Sequence, residues 1–126
     1  MDRKVCLDSD IQIEILKNNQ QISEKIIELK ANLYTTSINI FEIWTGRLKK
    51  QEDSAKQLIR SLKKINFDEN SALKAGDINL ELKKSGELLD IRDVFIASIC
   101  ISNNLELFTL NKKHFERLTK FGLKLI

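Results

Sequence analysis

Four carboxylates stand where an α/β chain concentrates its chemistry. Asp8 closes the apolar run Val5-Cys6-Leu7, Glu42 lies about one turn into the segment that follows Leu33-Tyr34-Thr35-Thr36, and Asp90 and Asp93 open an apolar stretch running to Ile101. A further run, Leu105 to Thr109, is followed closely by Asn111. If these runs are strands of one parallel sheet, the acids fall just past carboxyl ends, the edge at which open sheets bind ligands. Carboxylates gathered there without a cation repel one another and rise in pKa, and a hard divalent cation removes that cost. No Cys or His pair has metal-ligand spacing, so the all-oxygen set suits Mg²⁺ or Mn²⁺ better than Zn²⁺. Such a centre performs phosphoryl chemistry: it activates water, orients it in line with a phosphodiester and stabilises charge on the attacking and leaving oxygens.

Each of these residues also has a plain structural use. Asp8 suits a helix N-cap, and the pairs Asn39 with Glu42 and Asp90 with Asp93 have the spacing of capping boxes. Ser9 can brace a metal-bound water or share capping with Asp8. Thr109 and Asn111 can hold the acids by hydrogen bonds, and Asn111 equally suits a strand-end turn. The only histidine, His114, reads as a half-exposed surface residue beside Phe115 rather than a general base.

The elements that must position these side chains alternate along the chain. Val5 to Leu7, Leu33 to Thr36, Ile65 to Asp68, Leu105 to Thr109 and Leu123 to Ile126 read as strands. Ile11 to Leu16 fits either period, and the acidic start favours helix. Gln20 to Lys30 carries a helical stripe, and a helix from Ser37 or Asn39 is expected to turn Ile38, Phe41, Trp44 and Leu48 inward, with Gly46 weakening its end. Ala55, Leu58, Ile59 and Leu62 mark another helix. Ser71 opens one that closes near Ser85-Gly86. Asp90 to Ile101 is apolar around nearly its whole circumference and predicts a buried helix; Lys112 to Leu118 predicts a short one. This order implies parallel strands joined by right-handed crossovers, hence an α/β sheet covered on both faces.

At 126 residues, with 42% apolar and 31% charged types, the chain suits a single domain over 1–126 with one core and no need of disulfide staples. Cys6 and Cys100 lie in apolar runs and read as core residues. A net charge of +3 and a pI near 8.9 fall short of the dense basic stripe of a dedicated nucleic-acid binder. No stretch approaches the roughly 18 to 20 apolar residues of a membrane span, and Met1-Asp2-Arg3-Lys4 is not followed by a signal-peptide core, so a cytoplasmic protein is expected.

Several pieces together resemble the PIN-domain ribonucleases, particularly the VapC-type toxins of prokaryotic toxin–antitoxin pairs. They are Val5-Cys6-Leu7-Asp8-Ser9, Thr36 to Gly46 with Glu42 inside it, Gly86 to Ala97 with Asp90-Ile91-Arg92-Asp93 at its centre, and Thr109-Leu110-Asn111-Lys112-Lys113-His114-Phe115. The resemblance spans nearly the whole chain. It implies a three-layer α/β/α sandwich with a central parallel sheet. It also implies a Mg²⁺- or Mn²⁺-dependent endoribonuclease, a frequent homodimer, and a small antitoxin as partner. The family's metal-binding acids map onto Asp8, Glu42 and Asp93.

One departure stands out. Many relatives carry a fourth acid after the fourth strand where this chain has His114; Asp90 is then a candidate for the missing charge, and Asn111 for holding a metal-bound water. One acid fewer implies a weaker second cation site or a single one. Arg92, Lys112, Lys113 and Arg117 are candidate phosphate contacts, or solvated surface charges. With aromatics at 6%, backbone or shape reading of RNA is favoured over base stacking, and Trp44 reads as core or dimer interface. Two other classes remain: a PIN-like RNA-binding or assembly subunit without catalysis, and a phosphoacceptor domain using Asp68.

Overall fold

The computed structural model describes residues 3–126. Met1 and Asp2, with which the stretch lacking a signal-peptide core begins, lie outside the described residues. Strands β1 (Lys4–Leu7), β2 (Asn32–Thr36), β3 (Lys63–Ile65), β4 (Glu106–Phe108) and β5 (Lys124–Leu125) form one sheet in the order β3-β2-β1-β4-β5. Every pairing is parallel, with Cys6 opposite Tyr34 on one side and Leu107 on the other. The chain winds outward from β1 through β2 to β3 and then returns to place β4 on β1's free side. That reversal leaves a crevice at the carboxyl ends of β1 and β4.

β1 is central because it has no polar face to spare: Val5, Cys6 and Leu7 are fully buried, as a strand covered on both sides requires. Its alternation splits the core in two. Val5 and Leu7 pack with Ile11, Leu29, Leu62 and Phe108 on one face; Cys6 packs with Ala75, Ile78, Leu82, Ala97 and Cys100 on the other. The first layer comes from α1 (Ser9–Leu16), α2 (Gln20–Leu29) and α4 (Glu52–Ser61). The second is dominated by α5 (Glu69–Ser85) and α6 (Ile91–Ser102), while α3 (Ser37–Gly46) and the short α7 (Lys112–Phe115) follow β2 and β4. The result is the expected α/β/α sandwich. Both cysteines are free and buried, and no helix among the described residues is long and apolar enough to cross a membrane.

Most departures from expectation have local causes. The ambiguous segment after Asp8 is helical, because Asp8 caps it. The third strand is Lys63–Ile65 rather than 65–68: it is an edge strand that exposes two lysines, a pattern that guards an edge and hides the apolar signal. Asp68 instead caps α5, accepting from the Ser71 N–H at 2.9 Å, so the helix begins before Ser71. Gly86, in left-handed conformation at φ 71°, ends α5 as anticipated. Lys112 to Leu118 is a single helical turn followed by a 3₁₀ segment, Glu116–Phe121.

The inward stripe expected on α3 breaks down. Ile38 packs against the core, but Phe41 and Leu48 are 58% and 54% exposed. The helix stops at Gly46, so Leu48 never joins its face. Trp44 is half-buried rather than core, with the Arg47 guanidinium 3.8 Å from its ring centroid.

Candidate active site

Asp8 occupies the crevice between β1 and β4. Its N–H donates to the Phe108 carbonyl at 2.9 Å, carrying the ladder one residue past β1 and fixing where its carboxylate emerges. Oδ1 accepts from the Ser9 N–H at 2.8 Å, the N-cap contact of α1, and Oδ2 accepts from Thr109 Oγ1 at 2.8 Å. The residue is 7% exposed. Burial, then the charge of Asp10, raises its carboxyl from the ordinary 3.8 to about 7 against the pull of the Thr109 and Ser9 hydrogen bonds. Capping and a perturbed acid therefore coexist in one side chain.

Asp10 is a site residue that the sequence did not single out, and it joins this cluster. Its Oδ2 accepts from the Leu110 N–H at 3.1 Å and lies 3.3 Å from Thr109 Oγ1; Oδ1 is buried without a hydrogen-bond partner. Burial raises this carboxyl as well. The available signal is the Asp8-Ser9-Asp10 spacing, which helix capping alone suffices to explain.

Glu42 is not a capping residue. The box at the start of α3 pairs Thr36 with Asn39 instead: Thr36 Oγ1 accepts from the Asn39 N–H at 3.1 Å, and Asn39 Oδ1 accepts from the Thr36 N–H at 3.2 Å. Starting the helix three residues earlier than an Asn39 cap leaves Glu42 free to face α1. There its Oε1 accepts from Ser9 Oγ at 2.6 Å. Burial raises the Glu42 carboxyl, while the Ser9 hydrogen bond and the Arg92 charge oppose the rise. Ser9 thus bridges two strand ends, while its backbone N–H meets the Asp8 cap. Asn39 Nδ2 donates to Ser9 Oγ at 2.9 Å and to Asp8 Oδ1 at 3.3 Å.

The start of α6 separates two acids that the sequence left as a pair. Asp90 caps the helix by accepting from the Arg92 N–H at 2.9 Å, and the Arg92 side chain folds back onto it at 3.2 Å. Those hydrogen bonds hold the Asp90 carboxyl below its ordinary value. Asp90 is exposed and held by Arg92 at the rim of the cluster, where its charge still adds to the rise of the Glu42 carboxyl, and no Asp90–Asp93 capping box forms. Asp93 instead turns toward β4: its charge raises the carboxyls of Asp8, Asp10 and Glu42. His114 Nε2 lies 2.8 Å from Asp93 Oδ2. His114 is partly exposed and stacks edge-on against Phe115, but it belongs to the acid cluster rather than to a bystander surface.

The remaining candidates sit around the rim. Arg92 reaches to 3.8 Å of Glu42 Oε2. Lys112 and Lys113 are exposed on α7, and Arg117 lies 3.5 Å from the Glu87 carbonyl, below the α6 start. Thr109 touches two acids, whereas Asn111 contributes its backbone: the N–H donates to Thr109 Oγ1 at 3.0 Å and the side chain caps nothing.

Asp8, Asp10, Glu42 and Asp93 thus present an oxygen-only, partly desolvated set at one sheet edge. Among the described residues, no three acidic, histidine or cysteine side chains close into a ligand shell. An open set of this kind fits a hard cation that keeps several waters and takes only one or two carboxylates, as Mg²⁺ does. The unpartnered Asp10 oxygen and the raised Asp8 carboxyl are the features that such a cation would relieve.

Residues 5–120 match the PIN domain family. The chain is 38% identical to Ribonuclease VapC3 of Methanocaldococcus jannaschii over 93 residues, 74% of this chain and 94% of that protein. It is 30% identical to Ribonuclease VapC1 of the same organism over 125 residues, 98% of this chain and 88% of the relative. Among solved structures, the DNA-bound VapBC of Salmonella typhimurium superposes with a TM-score of 0.88 at 25% identity, covering 98% of this chain and 97% of the other. VapBC-1 from nontypeable Haemophilus influenzae gives 0.82 at 26% identity, covering 98% and 96%.

Proposed function

Since the chain belongs to the PIN-domain family, among its VapC-type ribonucleases, we propose that it is a Mg²⁺- or Mn²⁺-dependent endoribonuclease toxin that hydrolyses RNA phosphodiesters in the cytoplasm, held in check by a small antitoxin. The observation that carries this reading is the meeting of Asp8, Glu42 and Asp93, from three distant segments, at one sheet edge around a carboxyl raised to about 7. Helix capping explains none of that convergence.

Asp8, Glu42 and Asp93 would hold the cation, one or two of them directly and the others through its waters, with Asp10 adding charge beside them. When bound, the cation supplies an activated water and neutralises charge building on the phosphodiester oxygens. The chain's own residues prepare the site for it. Thr109 and the Ser9 N–H orient the two oxygens of Asp8, Ser9 Oγ orients Glu42, and His114 orients Asp93, so little reorganisation is left for the moment of reaction. Arg92, Lys112, Lys113 and Arg117 take the RNA backbone around the acid edge, offsetting its negative rim.

For the antitoxin, the support is a cleft of about 220 Å³ beside Glu42, with Ile13, Leu16, Ile43 and Leu48 as apolar walls and Lys17 at its edge. It suits an apolar segment whose polar end reaches the acids. Leu73 and Leu80, 63% and 55% exposed and seven residues apart on α5, form a stripe suited to a second copy of the chain.

The test is cleavage of mixed total RNA by the purified protein in Mn²⁺, in Mg²⁺ and in EDTA, beside an identically prepared Asp93→Asn variant. Cleavage is expected with metal only and is lost in the variant. Equal cutting by both proteins, or none by a folded wild type that also fails to bind Mn²⁺, refutes the proposal; the second outcome favours an RNA-binding subunit.

A further inference from the structure

We propose that Asn39 is a positioning residue of this site: its side-chain amide orients Asp8 directly and Glu42 through Ser9. The inference rests on the nuclease reading above and adds to it a residue that is not itself a ligand.

The direction of the whole hydrogen-bond chain follows from one backbone group. Asn39 is fully buried, and one end of its amide lies 3.2 Å from the Thr36 N–H. A backbone N–H can only donate, so that end must be the oxygen, Oδ1. Thr36 Oγ1 donates to the same oxygen at 2.7 Å. The NH₂ end is thereby turned toward α1, where its two protons find two acceptors, Ser9 Oγ at 2.9 Å and Asp8 Oδ1 at 3.3 Å. Ser9 Oγ, having accepted from Asn39, has its own proton free, and it donates to Glu42 Oε1 at 2.6 Å. Reversing the amide would set donor against donor at Thr36, and reversing the Ser9 hydroxyl would do the same at Asn39 Nδ2.

An acid at the end of β1 and another on α3 are thus locked into one orientation by a fully buried side chain. Each donation commits one oxygen, Asp8 Oδ1 and Glu42 Oε1, while Asp8 Oδ2 meets Thr109 Oγ1 at 2.8 Å and Glu42 Oε2 lies 3.8 Å from Arg92. A buried amide used this way is more than a helix cap. The cap needs only its oxygen, and an apolar neighbour would serve as well at the other end. Outer hydrogen-bonding partners of metal-ligating groups typically matter by about 10- to 100-fold in affinity or activity.

The decisive comparison is between Asn39→Leu, which has similar bulk and no donors, and Thr36→Val, which removes the cap hydroxyl but leaves both Nδ2 donations in place. Mn²⁺ binding is measured by EPR on the purified proteins, together with kcat and KM for RNA and the melting temperature. For Asn39→Leu we expect Mn²⁺ affinity and kcat to fall at least about 10-fold while KM changes little. Thr36→Val should lower the melting temperature but stay within about 3-fold of wild type in both quantities. Should Asn39→Leu fail to fold, Asn39→Ser takes its place: its hydroxyl still meets the Thr36 cap but is too short to span to Ser9 and Asp8, so the same losses are expected. The inference is overturned if a folded Asn39 variant binds Mn²⁺ and cuts RNA like wild type, or if Thr36→Val loses as much. Absence of both Mn²⁺ binding and cleavage in the unaltered chain would instead refute the nuclease reading itself.

Discussion

Replacing Asp8 by Asn is expected to stabilise the metal-free protein at pH 8 and not at pH 5. The cause is burial: the carboxyl, ordinarily near 3.8, is raised to about 7 in the folded chain, with the neighbouring Asp10 charge adding to the effect. Between these values the folded state holds a proton that the unfolded state has released, so stability falls as pH rises through the window and the full penalty applies above it. That displacement corresponds to a ceiling of about 4 kcal/mol. Asn keeps the oxygen that accepts from Ser9 and Asn39 but turns an NH₂ toward Thr109. The Thr109 hydroxyl can accept it and donate to Asp10 instead, 3.3 Å away, so the rearrangement costs about 1 to 2 kcal/mol. A net gain of about 2 kcal/mol is left at pH 8, while at pH 5, where Asp8 is already protonated, the variant is level or slightly less stable. Urea unfolding in EDTA at both pH values, followed by the fluorescence of the single tryptophan, Trp44, reads the difference. Replacing EDTA with Mn²⁺ should abolish the gain, because a cation compensates the wild-type carboxylate. Equal destabilisation at both pH values would mean that Asp8 matters as a cap and that the buried charge carries no penalty.

Three further outcomes are expected. His114→Asp replaces the imidazole whose nitrogen lies 2.8 Å from Asp93 Oδ2 with a like charge; the repulsion should lower the melting temperature of the metal-free protein at neutral pH, and Mn²⁺ should raise it more than it does for wild type. Lys112→Glu with Lys113→Glu should raise KM for RNA, leave kcat nearly unchanged, and flatten the dependence of log affinity on log salt by about 0.7 for each phosphate that is no longer neutralised; an unchanged slope would remove both lysines from the RNA path. Gly86→Ala forces a side chain into left-handed conformation at φ 71° with no steric clash to add to it, so urea unfolding should show a loss of about 1 kcal/mol.

How much of this was legible in the residues depends on the kind of information each feature needs. The alternation of apolar runs with helical stripes determined the α/β class, because which residues must leave water is a property of local periodicity. The same reasoning placed Asp8, Glu42, Asp90 and Asp93 near the edge where open parallel sheets carry ligands, and only the family resemblance singled out Asp8, Glu42 and Asp93 among them. Edge strands resisted it: Lys63–Ile65 begins with two exposed lysines, and its pairing with β2 comes from position rather than composition.

The partners of the polar side chains were settled only by the tertiary structure. Asp90 and Asp93 are three residues apart and look interchangeable, yet one is exposed and bound by Arg92 while the other meets His114, 21 positions away. Asp10 resembles an ordinary helix-start acid until the return of the chain through β4 sets the Leu110 N–H against it across 100 residues. Asn39 has the spacing of a cap, and it does cap, but its other end serves Asp8 and Ser9 only because β1 and β2 lie side by side. Periodicity records which face of an element is buried. Which donor meets which acceptor depends on distances of a few ångströms between segments far apart in the chain, and those distances exist only once the strands are in register.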